Sequence, residues 1–236
     1  MKSLIILPTY NEKENIEKLI EEIRKLKRNF HILIIDDNSP DGTGTIADRL
    51  ATKYSEVSVI HRPAKLGLGT ACLAGFRYAL QSNYDLVFTM DADFSHHPKY
   101  LTNLLEKAKD YDLVIGSRYI KDGKIKNWPL YRLILSRGAN VFVRILTGLP
   151  ILDSTGGFNC YWGKVLEKID FGTIVSDGYA FQIEMKHRLW RKGFSFKEVP
   201  IAFVDRTRGR SKISKRIVLQ AFFLVWKLRK RRQATF

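Results

Sequence analysis

The first half of this 236-residue chain alternates short apolar runs with segments of helical periodicity. The apolar runs cover residues 4–7, 32–35, 57–60, 86–90 and 113–116, and the helical segments between the first four cover residues 14–27, 44–54 and 70–81. Strands that alternate with helices build a mostly parallel sheet flanked by helices, so the sequence predicts an α/β fold. After residue 116 the alternation breaks down.

Composition limits the classes of ligand that such a fold can serve. The formal net charge of +16 predicts an anionic partner, whether nucleic acid, phosphorylated substrate or anionic lipid surface. Cys72 and Cys160 offer neither a disulfide framework nor metal-ligand spacing, which predicts reduced thiols. No apolar run reaches the roughly 18 to 20 residues of a spanning helix, and the N-terminal run is too short for a secretory signal. We therefore expect neither a transmembrane helix nor a signal peptide.

Residues with chemically distinctive side chains follow the apolar runs at the points where the predicted strands leave the sheet. They are Pro8, Tyr10 and Glu12 after the first run, Asp36 and Asp37 after the second, the loop after Ile60, Asp91 and Asp93 after the fourth run, and Ser117 and Arg118 after the fifth. The carboxyl ends of parallel strands meet at one edge, where ligands bind. Each residue alone has a plain structural interpretation as a strand stop, helix cap or turn acid. Together they favour a nucleotide site.

Asp91-Ala92-Asp93 predicts how that site neutralises phosphate charge. Two carboxylates two residues apart can hold a divalent cation against a diphosphate. No G-x-G-x-x-G motif follows the first strand and no G-x-x-x-x-G-K-[ST] motif occurs, so neither a dinucleotide fingerprint nor a P-loop is supported. The segment 65–70 resembles a glycine loop but lacks a third glycine, and a tight turn before a helix is the alternative interpretation. The cation, rather than a glycine loop, is expected to bind the diphosphate.

Taken in order, the motifs resemble those of the GT-A glycosyltransferases of family 2, and within them the dolichol-phosphate (polyprenyl-phosphate) mannose synthases. The motifs that carry the resemblance are Pro8-Thr9-Tyr10-Asn11-Glu12, Asp36-Asp37, Ser39-Pro40-Asp41, Lys65-Leu66-Gly67-Leu68-Gly69, Asp91-Ala92-Asp93, Gly116-Ser117-Arg118-Tyr119, Thr155-Gly156-Gly157-Phe158 and Val199-Pro200. The resemblance implies a GT-A (nucleotide-diphospho-sugar transferase) fold over residues 1–212, with interfacial amphipathic helices within 121–148. A basic amphipathic C-terminal helix and tail is expected over residues 213–236.

The resemblance also implies a donor site. Pro8, Tyr10 and Glu12 would contact the nucleoside and its ribose, and Ile35 and Asp37 would complete that pocket.

Asp91, Ala92 and Asp93 would contact the nucleotide sugar, and Asp93 would be the principal ligand of Mg²⁺ or Mn²⁺. Asp91 is a second candidate metal ligand. Ser95 is a third, because it stands where some relatives carry a metal-binding glutamine, and its shorter side chain implies ligation through water.

On the acceptor side, the resemblance assigns the lipid phosphate to Arg118, Arg132 and Ser136, and Arg118 to the donor as well. Arg132 and Ser136 are four residues apart and so share one helical face. A solvated basic face is the plain alternative. A lipid monophosphate has a second pKa of about 6 and is therefore largely dianionic at neutral pH. Because its oxygen is already charged, it needs no general base. Asp153 either lines this acceptor site or serves as a turn or cap residue.

Arg206 and Lys212 lie in a polar, basic loop between Val204 and Ile213. The resemblance implies that they grip the donor diphosphate and stabilise the charge on the leaving group. A soluble basic loop without this role is the alternative.

Two segments suggest a membrane surface. Residues 128–137 and 141–146 mix bulky apolar residues with arginines, a composition typical of an interfacial helix pair. Near the C-terminus, the basic residues 215–216 and 227–232 flank the apolar stretch 217–226, in which Trp226 can sit at headgroup level. These features predict a peripheral protein on the cytoplasmic face of an anionic membrane. A core-packing helix with a basic tail is the alternative for the C-terminal segment.

The expected reaction is the inverting transfer of mannose from GDP-mannose to a polyprenyl (dolichyl) monophosphate, catalysed by a dolichyl-phosphate β-D-mannosyltransferase. The main alternative is a polyprenyl-phosphate glucosyltransferase or other hexosyltransferase that uses a UDP-sugar. Such relatives commonly carry further membrane-spanning helices, so their absence here favours mannose and implies a separate membrane-anchoring subunit, unless the chain is truncated. Nucleic-acid binding is suggested by charge alone, and no nucleic-acid motif supports it.

Overall fold

A computed structural model describes residues 1–205 and 224–229 of the chain. The strands are β1 (Ser3–Thr9), β2 (Phe30–Asp36), β3 (Val57–His61), β4 (Leu86–Thr89), β5 (Leu113–Ser117), β6 (Lys124–Lys126), β7 (Asn159–Trp162), β8 (Phe196–Pro200) and β9 (Ala202–Val204). The main sheet has seven strands in the order β3-β2-β1-β4-β7-β5-β8, and β6 pairs with β9 in a second, two-stranded sheet. Within the main sheet only β7 runs antiparallel to its neighbours, which confirms the mostly parallel α/β prediction.

Helices connect and cover these strands. They are α1 (Ile16–Lys25), α2 (Thr43–Lys53), α3 (Leu68–Gln81), α4 (Tyr100–Lys107), α5 (Leu130–Thr147), α6 (Gly163–Leu166), α7 (Gly178–Arg191) and α8 (224–229). Each of the three helices expected in the first half is present, with ends that differ from the expected ones by at most two residues. Among the described residues, no helix is both long enough and apolar enough to cross a bilayer.

The apolar runs form strands that are buried on both faces. In β1, Leu4 and Ile6 pack into the hydrophobic cluster on one side of the sheet, and Ile5 and Leu7 pack into the cluster on the other. Burial on both faces requires a nearly continuous apolar run rather than an alternating one. This is why the sheet is visible in the sequence as short blocks of isoleucine, leucine and valine.

Strand β7 brings a distant loop to the ligand-binding edge. It lies between β4 and β5 and is antiparallel to both, with Asn159 opposite Thr89 and Ile115. Because its direction is reversed, the start of β7 lies at the edge where β4 and β5 end. The segment 153–158 therefore arrives beside Asp91 and Ser117, an arrangement that the alternation of strands and helices did not predict.

The expected pair of interfacial helices is instead one helix, and that part of the prediction is wrong. Helix α5 runs for 18 residues without a break. Gly138 lies within it, where nothing crowds its backbone, and Asn140 donates a side-chain hydrogen bond back to the carbonyl of Ser136. One glycine weakens a helix without ending it, so the two apolar segments merge.

The expected C-terminal helix lies partly outside the described residues. In α8, Val225 and Leu228 are buried against the core, whereas Trp226 is 47% exposed. This turn thus packs against the body of the protein with one face. Arg206 and Lys212, expected to grip the diphosphate, lie outside the described residues.

Candidate active site

The residues expected to contact the nucleoside gather at the end of β1. Pro8 and Tyr10 are half-buried and Glu12 is 8% exposed. The Lys65 ammonium lies 4.2 Å from the centre of the Tyr10 ring. The structure thus joins the segment after β1 with the glycine-containing turn before α3.

Asp37, after β2, binds that turn directly. Its Oδ2 accepts hydrogen bonds from the backbone N–H groups of Leu66 and Gly67, at 3.1 and 3.3 Å. Its Oδ1 is ion-paired with Arg62, whose Nη2 donates to the Gly67 carbonyl at 2.9 Å. Sequence reasoning missed Arg62, although the position of this cation after β3, at the same sheet edge, could have identified it. Ile35, by contrast, has a fully buried side chain, so only its backbone is available at this edge.

The turn before α3 is also fixed from the other side. Gly67 has φ of +99°, and a side chain there would collide with Asp177. Asp177 Oδ1 accepts a hydrogen bond from the Gly69 N–H at 2.6 Å. The expected tight turn before a helix is confirmed, and two carboxylates hold it in place.

The D-x-D segment directly follows β4. Ala92 is buried in the core, whereas the Asp91 side chain is 39% exposed. Asp93 is 7% exposed, and its Oδ1 accepts the Ser95 N–H at 3.0 Å. His96 lies beneath this turn, and its Nδ1 accepts the Asp91 N–H at 3.4 Å. Burial lowers the pKa of His96, which favours the neutral imidazole that this contact needs.

The groups around this turn fit a hard divalent cation shared with a diphosphate. The Ser95 hydroxyl is buried and has no hydrogen-bond partner among residues 1–205 and 224–229. In those same residues no cluster of three or more His, Cys, Asp or Glu side chains forms a complete cage. Mg²⁺ commonly takes one or two carboxylates and completes its shell with water and substrate phosphates. Asp91, Asp93 and the unsatisfied hydroxyl of Ser95 match that pattern.

Arg118, at the end of β5, is bound to Asp153. The guanidinium donates to Asp153 from Nε at 2.8 Å and from Nη2 at 2.7 Å, and the Arg118 backbone N–H donates to the same carboxylate at 2.9 Å. Burial raises the pKa of Asp153, but the charge and hydrogen bonds of Arg118 together with the charge of Lys186 outweigh burial, so the net pKa is lowered. The sequence left Asp153 either lining the acceptor site or serving as a turn or cap residue, and the structure shows a further role, that of the buried partner of Arg118.

Aromatic rings complete the surroundings of Arg118. The centres of the Tyr119, Trp128 and Phe203 rings lie 5.2, 5.5 and 5.4 Å from its guanidinium carbon. Arginine stacks well on aromatic faces, which fixes the plane of the guanidinium. Arg118 is therefore a preorganised cation.

Arg132 and Ser136 lie on one face of α5, as expected. Arg132 Nη1 lies 3.0 Å from each carboxylate oxygen of Asp205, and its guanidinium carbon lies 4.2 Å from the centre of the Trp128 ring. Ser136 accepts a hydrogen bond from the Tyr119 hydroxyl at 2.7 Å. This pairing shows that the helix face is not simply a solvated basic surface.

Tyr179, at the start of α7, links the two halves of the site. Burial raises the pKa of its phenol, which also lies within the electrostatic reach of Arg118, Arg132 and Asp91. Tyr179 therefore lies in the same region of the site as these three expected residues. Sequence reasoning missed Tyr179 because nothing in its local sequence distinguishes it from a core aromatic residue.

A cavity of about 570 Å³ opens between α5, α7 and α8. Its lining residues are Trp128, Arg132, Ile134, Leu135, Ser136, Gly138, Ala139, Phe142, Val143, Thr155, Tyr179, Ile183 and Val225. Arg132, Ser136 and Tyr179 are among these residues, and most of the lining is apolar. Such a cavity suits an apolar chain that carries an anionic head.

The outer side of α5 exposes large apolar side chains. Between 50 and 73% of each remains accessible for Leu130, Tyr131, Ile134, Leu135, Val141 and Ile145. Arg137 and Arg144 are exposed on the same helix. Apolar side chains exposed in such number on one element mark an interaction surface.

Comparison with known proteins agrees with this geometry. Residues 4–170 match the family described as Glycosyl transferase family 2. The polyprenol monophosphomannose synthase of Mycolicibacterium smegmatis is 45% identical over 234 residues, which are 98% of this chain and 88% of the relative. The undecaprenyl-phosphate mannosyltransferase of Micrococcus luteus is 44% identical over 221 residues, which are 94% of this chain and 91% of the relative. The expected resemblance to polyprenyl-phosphate mannose synthases is thereby confirmed.

Solved structures show the same fold. Glucosyl-3-phosphoglycerate synthase from Mycobacterium tuberculosis, in complex with Mn²⁺, uridine diphosphate and glucosyl-3-phosphoglycerate, aligns with a TM-score of 0.65 at 19% identity, over 98% of this chain and 79% of that one. A second mycobacterial crystal structure aligns with a TM-score of 0.69 at 19% identity, over 95% of this chain and 74% of that one. The GT-A fold prediction is confirmed. With its sheet, its D-x-D edge and these relatives, the chain belongs to glycosyltransferase family 2.

Proposed function

We propose that this glycosyltransferase transfers mannose from GDP-mannose to a polyprenyl (dolichyl) monophosphate, with inversion, to give polyprenyl-phosphate mannose and GDP. The observation that carries the proposal is the apolar cavity whose wall includes Arg132, Ser136 and Tyr179, with the Tyr179 phenol also within reach of the Asp91 charge. The names of two relatives, both more than 40% identical, supply the sugar and the lipid class.

The arginines replace a general base at the acceptor. A phosphate monoester is largely dianionic at neutral pH, so its oxygen needs orientation rather than deprotonation. Arg118 and Arg132 hold the phosphate, with Ser136 as a further contact, and direct one oxygen at the anomeric carbon. Asp153 fixes the guanidinium of Arg118 through two hydrogen bonds. The lipid phosphate carries more charge than a carboxylate and replaces Asp205 on Arg132.

The D-x-D edge activates the donor. Asp91 and Asp93 would hold Mg²⁺ or Mn²⁺, with Ser95 reached through water, and the cation would supply positive charge beside the leaving nucleoside diphosphate. Asp91 and Ala92 also contact the nucleotide sugar, and Arg118 lies where donor and acceptor meet. A cation at this position is consistent with the Mn²⁺ and uridine diphosphate in complexes of proteins that share the fold.

The nucleoside lies against the ends of β1 and β2. Pro8, Tyr10, Glu12 and Asp37 contact it, together with the backbone of Ile35. Arg206 and Lys212 grip the diphosphate. These cationic side chains and backbone groups would stabilise the negative charge that develops on the donor diphosphate in the transition state.

The exposed face of α5 lies on the membrane that holds the acceptor. Its apolar side chains enter the interface while Arg137 and Arg144 meet anionic headgroups, an arrangement typical of interfacial helices. The cavity then opens toward the lipid from which its ligand comes. We place the protein on the cytoplasmic face, with a separate membrane-anchoring subunit as a further partner.

A donor panel tests this function. Purified protein is incubated with GDP-mannose, UDP-glucose or UDP-N-acetylglucosamine and liposomes that carry dolichyl or undecaprenyl phosphate, with and without Mg²⁺ or Mn²⁺. The proposal predicts metal-dependent formation of polyprenyl-phosphate mannose from GDP-mannose alone. Transfer of glucose from UDP-glucose in preference to mannose would assign the alternative donor, and transfer from none of the three would overturn the proposal.

A further inference from the structure

Lys186 is a fully buried lysine. Among the described residues, its ammonium donates hydrogen bonds to backbone carbonyls only. It lies on α7 and donates from Nζ to the carbonyl oxygens of Asp153 at 3.2 Å, Ser154 at 3.2 Å and Gly156 at 2.6 Å. An ammonium has three N–H donors, so donors and acceptors match in number. The three carbonyls belong to the segment that β7 brings to the site edge.

The same segment is held from its N–H side by other buried or half-buried groups. Glu198, on β8, accepts the backbone N–H groups of Leu152 and Asp153, each at 2.9 Å. Asn140, on α5, accepts the backbone N–H of Ser154 at 2.8 Å. Side chains from α5, α7 and β8 therefore bind the backbone of residues 152–156, and Lys186 is the cationic side chain among them.

The position of this loop determines the position of Arg118. The Asp153 carboxylate is the two-point partner of that arginine, and Thr155 accepts a further hydrogen bond from Arg118 Nη2 at 2.9 Å. A shift of the loop backbone therefore moves both partners of the guanidinium. Burying an ammonium is costly unless all of its N–H groups form hydrogen bonds. In Lys186 all three N–H groups have a carbonyl partner.

We propose that Lys186 is a positioning residue for the acceptor: by binding the carbonyls of Asp153, Ser154 and Gly156, it sets the loop that aims Arg118 at the lipid phosphate. This inference rests on the proposed function, since it assigns Arg118 to the acceptor. Lys186 itself contacts neither substrate.

The protonation state of Lys186 provides a specific signature. Burial lowers its pKa to about 7, while the charges of Asp153 and Glu198 raise it and that of Arg118 lowers it. A neutral amine has two N–H donors, so loss of the proton leaves one of the three buried carbonyls unsatisfied. Acceptor kcat/KM should therefore decline as pH rises through about 7. At lower pH it should first increase, because the lipid phosphate loses its second proton at about pH 6.

Steady-state kinetics with both substrates varied test the proposal. Lys186→Met keeps the length of the side chain and removes every donor, and Lys186→Arg restores donors. The matched control is Lys192→Met, which removes an exposed lysine at the end of the same helix. Acceptor KM should rise about tenfold in Lys186→Met, the loss expected for one misaligned charged contact, with donor KM within about twofold and partial recovery in Lys186→Arg. Lys192→Met should match the wild type.

The pH profile of the same variants distinguishes positioning from a merely structural role. In the wild type and Lys192→Met the decline through about pH 7 should be present, and in Lys186→Met it should be absent. Equal changes in both KM values, or an unchanged pH profile in Lys186→Met, would overturn the proposal while the wild-type reaction still supports the assigned function. If Lys186→Met does not fold, a pH profile of the wild type that lacks the decline would also overturn the proposal. A wild type inactive on polyprenyl phosphate would instead reject the function.

Discussion

The residues proposed to hold the donor follow three neighbouring parallel strands, whereas those proposed to hold the acceptor come from a loop, two helices and the end of β5. On the donor edge, Asp37 and the D-x-D pair follow the strands β2 and β4, which pair with either side of β1. On the acceptor side, Arg118 and Arg132 are each paired with a carboxylate, Asp153 or Asp205. The donor edge presents acids that suit a cation, and the acceptor side presents cations that carboxylates already hold in place.

This difference indicates how one site can handle two phosphorylated substrates. On the proposed assignment, the donor diphosphate would be bound through a metal that brings its own charge, and the acceptor phosphate by arginines that keep theirs at any physiological pH. Carboxylate partners hold these arginines in a defined geometry before the acceptor arrives. A substitution in one half should therefore impair the use of one substrate and leave binding of the other nearly unchanged.

The largest effect is expected on the donor side. Asp93→Ala removes a proposed metal ligand and should lower kcat/KM for the nucleotide sugar by about 1,000-fold, because charge on the leaving diphosphate is no longer stabilised. Transfer is measured in saturating Mg²⁺ or Mn²⁺, with Asp110→Ala, the loss of an exposed acid, as the control. Near-normal activity of folded Asp93→Ala would remove this residue from the metal site.

A smaller effect, confined to the acceptor, is expected from Arg132→Ala. Loss of one charged contact should raise the KM for polyprenyl phosphate about 30- to 100-fold and leave donor affinity nearly unchanged. The assay uses detergent-solubilised acceptor, so that membrane binding does not contribute. Arg144→Ala, an exposed arginine on the same helix, serves as the control. A comparable loss of donor affinity would contradict the separation of the two halves.

Tyr179→Phe tests the place where the halves meet. It removes only the phenol oxygen near Arg118, Arg132 and Asp91, and should lower acceptor kcat/KM about tenfold. Circular dichroism and the unfolding midpoint should stay close to the wild type because the ring remains. If Tyr179→Phe affects only the donor KM, the phenol belongs to the donor half.

The smallest effect is expected at the exposed face of α5. Ile145→Ser should weaken binding to anionic liposomes about fivefold, the cost of one apolar side chain that no longer enters the interface. Liposome co-sedimentation measures this change, and transfer to detergent-solubilised acceptor should be unaffected. Val175→Ser, the loss of an even more exposed apolar residue away from α5, is the control. Equal binding by both variants would exclude α5 as the membrane-facing element.

The two regions also differ in how far they were predictable from sequence. The donor edge follows from local pattern: apolar runs identify the strands, and the residues just after them, such as Asp37 and Asp91, share one edge. The acceptor side depends on long-range pairing. Only the antiparallel insertion of β7 brings Asp153 to Arg118, and no local pattern assigns the buried Lys186 to the same loop. The composition of residues 128–137 and 141–146 predicted two helices, whereas the structure joins both segments in α5 because the one glycine between them, Gly138, does not end a helix.

The most direct test of the central claim is a comparison of binding by two variants. Binding of GDP with Mn²⁺ and binding of polyprenyl phosphate in detergent are measured separately for Asp93→Ala and Arg132→Ala. The account predicts that Asp93→Ala loses metal-dependent GDP binding and keeps the lipid, and that Arg132→Ala does the reverse. Loss of the same ligand by both variants would contradict the division of the site into a donor edge and an acceptor side.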